Sequence, residues 1–191
     1  MEEFQSFPKM PRLFRDVVIT EKIDGTNAQI FIPDNGPVVC ASGREVPFLC
    51  GSRNRWIFPE NDNAGFARWA YENQEELLKL GPGRHFGEWW GQGIGRKYGL
   101  DHKRFSLFNA ERWTDEVRPS CCHVVPVLFK GMFDTTVVSA LAEMLVAKGS
   151  VAAPGFMDPE GLVVFHTAGL FGMKYTLKHD GIPKSMVAES K

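Results

Sequence analysis

The chain has 191 residues, 43% hydrophobic and 24% charged, the composition of a soluble globular protein able to bury a core without disulfide staples. Its 22 basic and 23 acidic side chains leave a net charge of -1, which excludes a generally basic nucleic-acid coat and an acidic disordered tail. Any polyanion must therefore be held by a local patch.

The opening stretch, MEEFQSFPKMPRLF, is charged and has no long apolar run, so no secretory signal is expected. No window approaches the roughly 18 apolar residues of a membrane span. Cys40, Cys50, Cys121 and Cys122 contain no CxxC pair, and with seven methionines they suit a reducing cytoplasm.

In chain order, Asp16 to Ile23, Ala28 to Ile32 and Pro37 to Ala41 are β-rich runs. They are separated by the turn signals Asp24-Gly25-Thr26-Asn27 and Pro33-Asp34-Asn35-Gly36. A helix is predicted from about Ala64 to Leu80, with Phe66, Trp69, Ala70, Leu77 and Leu80 on a 3.6-residue period and Gly81-Pro82 as its stop. Strands follow at Arg84 to Trp90 and Phe105 to Ala110. A second helix spans Thr135 to Lys148, capped by Asp134 and stopped by Gly149. The chain closes on strands at Gly161 to His166 and Gly172 to Lys178. Strands dominate and the helices do not alternate with them, which predicts an α+β fold of antiparallel sheets with flanking helices. With no repeat or linker, residues 1–191 read as one domain.

Five segments can carry chemistry. In Glu21-Lys22-Ile23-Asp24-Gly25-Thr26-Asn27, a lysine ends an apolar strand before a tight turn, where it is held rigidly and can serve as a nucleophile. An ordinary strand-end lysine beside an Asp-Gly turn has the same appearance. In Arg84 to Arg96, Glu88 stands inside an aromatic strand, where a carboxylate is costly unless it is paired or bound. The glycines from Gly87 to Gly95 allow close backbone approach to a ligand, or simply form a hairpin. In Phe105 to Asn109, Phe105 and Leu107 face one way and Ser106 and Phe108 the other, so an aromatic could stack a base there or join the core. Glu160 leads directly into the apolar run Gly161 to Phe165, a position fit for a divalent metal or an exposed charge. Lys174, Thr176 and Lys178 share one strand face by the period of two, forming a phosphate-contacting row or a solvated one.

The order of EKIDGTN, an arginine motif, FGEWWG, FSLFN, EGLVV and a strand lysine resembles the covalent nucleotidyltransferases, that is, the polynucleotide ligases and mRNA capping enzymes. Within them it is most similar to the ATP-dependent RNA ligases, especially the nick-sealing branch; the Thr-Asn after the glycine in EKIDGTN is the specific element, being more RNA-ligase-like than DNA-ligase-like. The resemblance runs from about Asp16 to Lys178. It implies a nucleotidyltransferase domain in which Lys22 is adenylylated and Glu21 and Ile23 help to place the adenine through backbone contacts. Asn27 would contact the nucleotide or the acceptor phosphate, and Arg53, rather than Arg44, the ribose or a phosphate. Glu88 would bind the ribose, Phe108 would stack on adenine, Glu160 would hold the metal and Lys174 would contact the α-phosphate.

Two departures stand out. The family's final motif commonly has two lysines two residues apart, and Thr176 takes the second place here, leaving Lys178 as a substitute from the same face. Only thirteen residues follow Lys178, so a catalytic core without an accessory domain is expected.

The implied chemistry is three phosphoryl transfers. Lys22 takes AMP from ATP, AMP passes to a 5′-phosphate, and a 3′-hydroxyl displaces it. Magnesium or manganese neutralises charge on the phosphates. The expected partner is a nicked duplex containing RNA, gripped through Arg53 with Arg55, Arg96 with Lys97, and Lys103 with Arg104, by a monomer working in the cytoplasm without a membrane. The alternatives are a non-catalytic nucleotide- or RNA-end-binding module of the same fold and a DNA nick ligase.

Overall fold

The computed structural model describes residues 3–40, 43–178 and 180–181. Among these, the strands are β1 (Asp16–Lys22), β2 (Thr26–Ile32), β3 (Val38–Val39), β4 (Glu45–Val46), β5 (Leu49–Gly51), β6 (Trp56–Ile57), β7 (Gly83–Gly91), β8 (Lys103–Leu107), β9 (His123–Val124), β10 (Val127–Met132), β11 (Gly161–His166) and β12 (Phe171–Thr176). The helices are α1 (Phe66–Glu72), α2 (Gln74–Leu77) and α3 (Thr135–Lys148), with short 3-10 turns at Pro59–Asn61 and Leu78–Leu80.

Two sheets carry the molecule. A four-stranded antiparallel sheet has the order β10-β1-β11-β12, and a six-stranded one the order β6-β5-β2-β7-β8-β9. All pairings are antiparallel except β8 with β9. A separate ribbon joins β3 to β4. This is the α+β architecture the sequence predicts. The turn signals do not make hairpins, however. The strands flanking Asp24-Gly25 go to different sheets, and β2 pairs with β5 and β7 rather than with β3. Turn chemistry specifies a change of direction, whereas strand partners are chosen by burial.

Each sheet buries one face. Val17, Ile19, Leu162 and Val164 of the four-stranded sheet pack on Ala142 and Leu145 of α3. Ala28, Ile30, Ile32, Trp89, Phe105 and Leu107 of the six-stranded sheet pack on Phe66, Ala67 and Ala70 of α1 and on Leu77. Rings weld that second layer: Phe66 lies 5.0 Å from Phe105, and Trp69 lies 5.0 Å from Trp89. A smaller cluster of Ile23, Trp90, Tyr98, Val125 and Ala153 fills the seam where β1 leaves its sheet.

α3 has the predicted bounds. Asp134 accepts the Thr136 N–H at 2.8 Å, and Gly149 ends it at φ 82°. The predicted helix from Ala64 to Leu80 instead breaks at Asn73, whose φ is -110° and whose side-chain amide donates to the Trp69 carbonyl at 2.8 Å, and its second part tightens into a 3-10 turn from Leu78. The final strand ends at Thr176, so Lys178 lies beyond it. The predicted strand from Phe105 ends at Leu107. The run from Pro37 shortens to Val38–Val39, and Ala41 lies outside the described residues. No helix among the described residues is long and apolar enough to cross a membrane.

Candidate active site

Lys22 is the last residue of β1. Val17 and Ile19 point into the core, Glu21 shares their parity, and Lys22 falls on the opposite face. Its Nζ lies 2.6 Å from Glu160 Oε2, an ion pair whose carboxylate is almost wholly buried and whose lysine keeps 21% side-chain exposure. Glu160 immediately precedes β11, and Lys22 pairs in register with Gly161, so the ladder itself delivers the two charges to each other.

Glu21 serves a different end. Its carboxylate accepts from Ser150 Oγ at 2.5 Å and from the Val151 and Ala152 amides at 2.8 Å each. Burial pushes its carboxyl up, and those hydrogen bonds oppose the rise. Its own N–H donates to the Pro126 carbonyl at 3.0 Å. Ile23 packs in the seam cluster. Both side chains are thus occupied away from the lysine.

Glu88 comes from the other sheet. In register with Asn27 across β2 and β7, it accepts from the Gly25 amide at 3.0 Å and from Asn27 Nδ2 at 3.2 Å. Burial pushes its carboxyl up to about 7. The Lys22 ammonium and the Gly25 amide pull it down, while the Glu160 and Asp24 carboxylates push it higher. Gly25 is obligatory for this approach, because a Cβ there would lie 2.5 Å from the Trp89 carbonyl oxygen and 2.7 Å from Trp90 Cβ. The glycine of the lysine motif therefore answers to packing against β7.

Phe105 and Leu107 enter the core and Phe108 does not, as the alternation predicts. Phe108 is 41% exposed, and its N–H donates to the Phe86 carbonyl at 3.0 Å. Since Ser106 faces Glu88, Phe108 stands one row along the same face. Phe86, half exposed and two residues before Glu88, occupies that row too. The alternation Phe86, Glu88 in FGE was the signal that could have found it. The two phenylalanines, Arg84, Asn109 and Arg112 line a shallow cavity of about 130 Å³.

Arg53 lies in the exposed turn between β5 and β6 and makes no ion pair with a described residue, whereas Arg44 is paired with Glu60 at 3.4 Å. On the four-stranded sheet, Lys174 pairs with Val163, and Thr176 pairs with Gly161. Lys174 is exposed and has no ion pair among the described residues. Lys178 is bound to Asp158 at 2.7 Å. The three basic clusters are partly spent: Arg96 binds Asp24 and Asp158, Arg55 donates to the Asn61 carbonyl, and Lys103 to the Ala64 carbonyl.

No three His, Cys, Asp or Glu side chains converge on a metal position among the described residues. Glu160 offers one carboxylate beside the lysine. That donor set fits magnesium or manganese, which keep several waters and take one or two carboxylates plus substrate phosphates.

The sequence model of the family described as RNA ligase matches residues 15–178. The chain belongs to the RNA ligase family. Among solved structures, it is similar to a Naegleria gruberi RNA ligase mutant with ATP and Mn, at TM-score 0.55 and 20% identity over 84% of this chain and 48% of that one. It is likewise similar to an apo mutant of that ligase, at TM-score 0.55 and 19% identity over 92% and 51%. The same ligase with PPi matches at TM-score 0.54 and 22% identity over 84% and 49%. At these identities the likeness is one of fold, and the chain spans about half the length of the ligases it matches. No curated protein matches it.

Proposed function

We propose that this chain is the nucleotidyltransferase domain of an ATP-dependent RNA ligase, with Lys22 as the residue that becomes adenylylated. One observation carries the reading. Lys22 Nζ is held 2.6 Å from a buried glutamate on its own sheet, with Glu88 close enough on the adjoining sheet to feel its charge. A part-exposed lysine held by a buried carboxylate is poorly explained by stability, since a buried ion pair contributes little net.

On this reading the chemistry runs in three steps. Nζ attacks the α-phosphorus of ATP, a P–N bond forms, pyrophosphate leaves and the amine gives up a proton. A 5′-phosphate oxygen then attacks the same phosphorus, which restores the lysine. A 3′-hydroxyl finally attacks the 5′-phosphorus and AMP departs. Glu88 is suited to the ribose hydroxyls, Phe108 to the adenine, Asn27 and Arg53 to sugar or phosphate, and Lys174 to the α-phosphate. Backbone groups of Glu21 and Ile23 are suited to the adenine edge. Glu160 would hold magnesium or manganese, which when bound neutralises charge on the phosphate and, by engaging the carboxylate, disfavours the ammonium form of the lysine.

The Thr-Asn of EKIDGTN supports an RNA ligase over a DNA ligase, and the family resemblance supports nick sealing with RNA at the 3′-hydroxyl side. Mass spectrometry of the intact protein after ATP and magnesium tests the first step. One added AMP on the parent and none on Lys22→Ala is the expected result. No addition to the parent would favour a non-catalytic nucleotide-binding module, the reading that Thr176 in place of a second lysine supports.

A further inference from the structure

Arg96 stands in the glycine-rich loop after β7, on a segment that the chemistry above does not use. Its guanidinium is three-quarters buried and meets two carboxylates: Nε lies 3.6 Å from Asp24 Oδ2, and Nη1 lies 2.5 Å from Asp158 Oδ2 and 3.2 Å from the Asp158 carbonyl. Asp24 is two residues after Lys22, and Asp158 is two residues before Glu160. One side chain thus ties together the backbones that carry both members of the 2.6 Å ion pair.

The loop is shaped around this contact. Tyr98 Oη accepts the Asp24 N–H at 2.8 Å, and Gly95 comes so close that a Cβ on it would lie 2.6 Å from the Asp24 carbonyl oxygen. Lys97 and Tyr98 both adopt left-handed backbone, at φ 61° and 50°, a costly conformation for non-glycine residues and especially for a bulky one. Tyr98 is held in turn by Trp90 at 5.0 Å and Phe156 at 4.7 Å between ring centroids. The strain directs Arg96 at one carboxylate pair and the tyrosine at the amide beside it.

We propose that Arg96 is a positioning residue that sets the approach of Lys22 to Glu160 by clamping Asp24 to Asp158, and that it is not a polynucleotide contact. Its effect on catalysis rests on the adenylyl-transfer reading; its effect on Lys22 does not. A guanidinium can bridge two carboxylates as a rigid fork, whereas a lysine ammonium holds only one well.

The test compares the parent with Arg96→Met, Arg96→Lys, Asp158→Asn and the double variant Arg96→Met/Asp158→Asn. The first readout is single-turnover AMP incorporation across an ATP titration. Arg96→Met is expected to lower the maximal rate at least tenfold with half-saturating ATP unchanged within twofold, and Arg96→Lys to recover part of the loss. The double variant should be no slower than Arg96→Met alone, because Asp158 serves the clamp only through Arg96, its other contact being to Lys178. The second readout needs no ATP: the rate at which an N-hydroxysuccinimide ester acylates Lys22, with Lys148 as the internal control. Arg96→Met should label Lys22 three- to tenfold faster and leave Lys148 unchanged. Unchanged Lys22 labelling overturns the clamp, and so does a tenfold rise in half-saturating ATP at an unchanged maximal rate, which would make Arg96 a triphosphate contact. Faster Lys22 labelling in a protein that takes up no AMP would uphold the clamp and reject the ligase reading. Asp158 is half exposed, so its asparagine variant keeps the test available should Arg96→Met not fold, with a three- to tenfold loss of rate expected.

Discussion

Thr176, and not Lys174, is the residue of β12 aligned with Lys22, because Gly161 pairs with both across the four-stranded sheet. Gly161 contributes no side chain to the row, and a Cβ there would lie 2.0 Å from the Tyr175 carbonyl oxygen. Two strand spacings, roughly 10 Å, therefore separate lysine and threonine across a residue that has no side chain. A phosphate seated over Gly161 would meet Lys22 on one side and a hydroxyl on the other.

We expect Thr176→Lys to strengthen ATP binding about tenfold, the effect of one added hydrogen bond to a charged group. The loss of the Thr176 Oγ1 contact to Asp180, 3.1 Å long, costs about 1 kcal/mol of stability in return. Half-saturating ATP in the single-turnover assay checks it, and an unchanged value would mean that the phosphate lies elsewhere.

The neighbouring lysines should separate cleanly. Lys178 is bound to Asp158 beyond the end of the strand, whereas Lys174 is exposed on the face of Lys22. Lys174→Ala should lower AMP incorporation at least tenfold and Lys178→Ala less than threefold. Equal losses would show that Lys178 leaves Asp158 for the phosphate.

Glu88 gives a pH prediction. Burial pushes its carboxyl up to about 7 in the fold, from the ordinary value of 4.5. The folded protein thus holds that proton to a higher pH than the unfolded chain does. The associated stability is complete below pH 4.5 and is lost as pH rises through 7, by up to about 3 kcal/mol. His85 and His123, both depressed by burial, act in the opposite sense, so the parent's own profile is mixed. Glu88→Gln removes one contribution only. Its melting temperature relative to the parent should climb between pH 5 and pH 7, by roughly 6–12 °C at most, while AMP incorporation falls. A constant difference across that range would refute the buried-carboxyl account.

Gly25→Ala should cost about 2 kcal/mol, or roughly 4–8 °C in melting temperature, because the added methyl meets the Trp89 carbonyl and Trp90 Cβ, neither of which can move freely. Thermal melts of parent and variant decide it. A loss under 1 °C would imply that the turn lifts off β7.

If the chain seals nicks, a bridging strand should matter greatly. Aligning a 3′-hydroxyl with an adenylylated 5′-phosphate requires near-attack geometry, and a template supplies it before the protein binds. A 5′-labelled strand should be joined at least tenfold faster on its complement than without one, and faster with RNA than with DNA at the 3′-hydroxyl side, where a 2′-hydroxyl can be read. Equal rates with and without template would leave only the nucleotidyl-transfer step.

Local signals in the sequence specify several elements. Asp134 and Gly149 frame α3, the run from Gly161 to His166 is β11, and Lys22 ends β1. What escaped was non-local. Nothing in Asp24-Gly25 says that the chain changes sheets there, since the reason is the backbone of β7 more than sixty residues away. β10 leaves no local signal, because it is an edge strand whose burial does not alternate and which carries Gly131. Arg96 read as half of a basic cluster, because the two carboxylates that claim it come from distant segments. At the site, the motif order pointed to Lys22, Glu88 and Glu160, which the fold brings together. It could not show that Glu21 turns its side chain to the loop after α3, nor that Thr176 is the aligned residue.

Ile23, Asp24 and Gly25 join β1 of one sheet to β2 of the other, Val125 and Pro126 join β9 to β10 across the same boundary, and Lys22 is the last residue before the first link. If either sheet turns about this joint as a rigid plate, displacement grows with distance from the axis and is smallest at the lysine. Small tilts of the faces on either side would then leave the amine nearly still. A nucleophile placed at the pivot leaves entry and alignment mechanically independent.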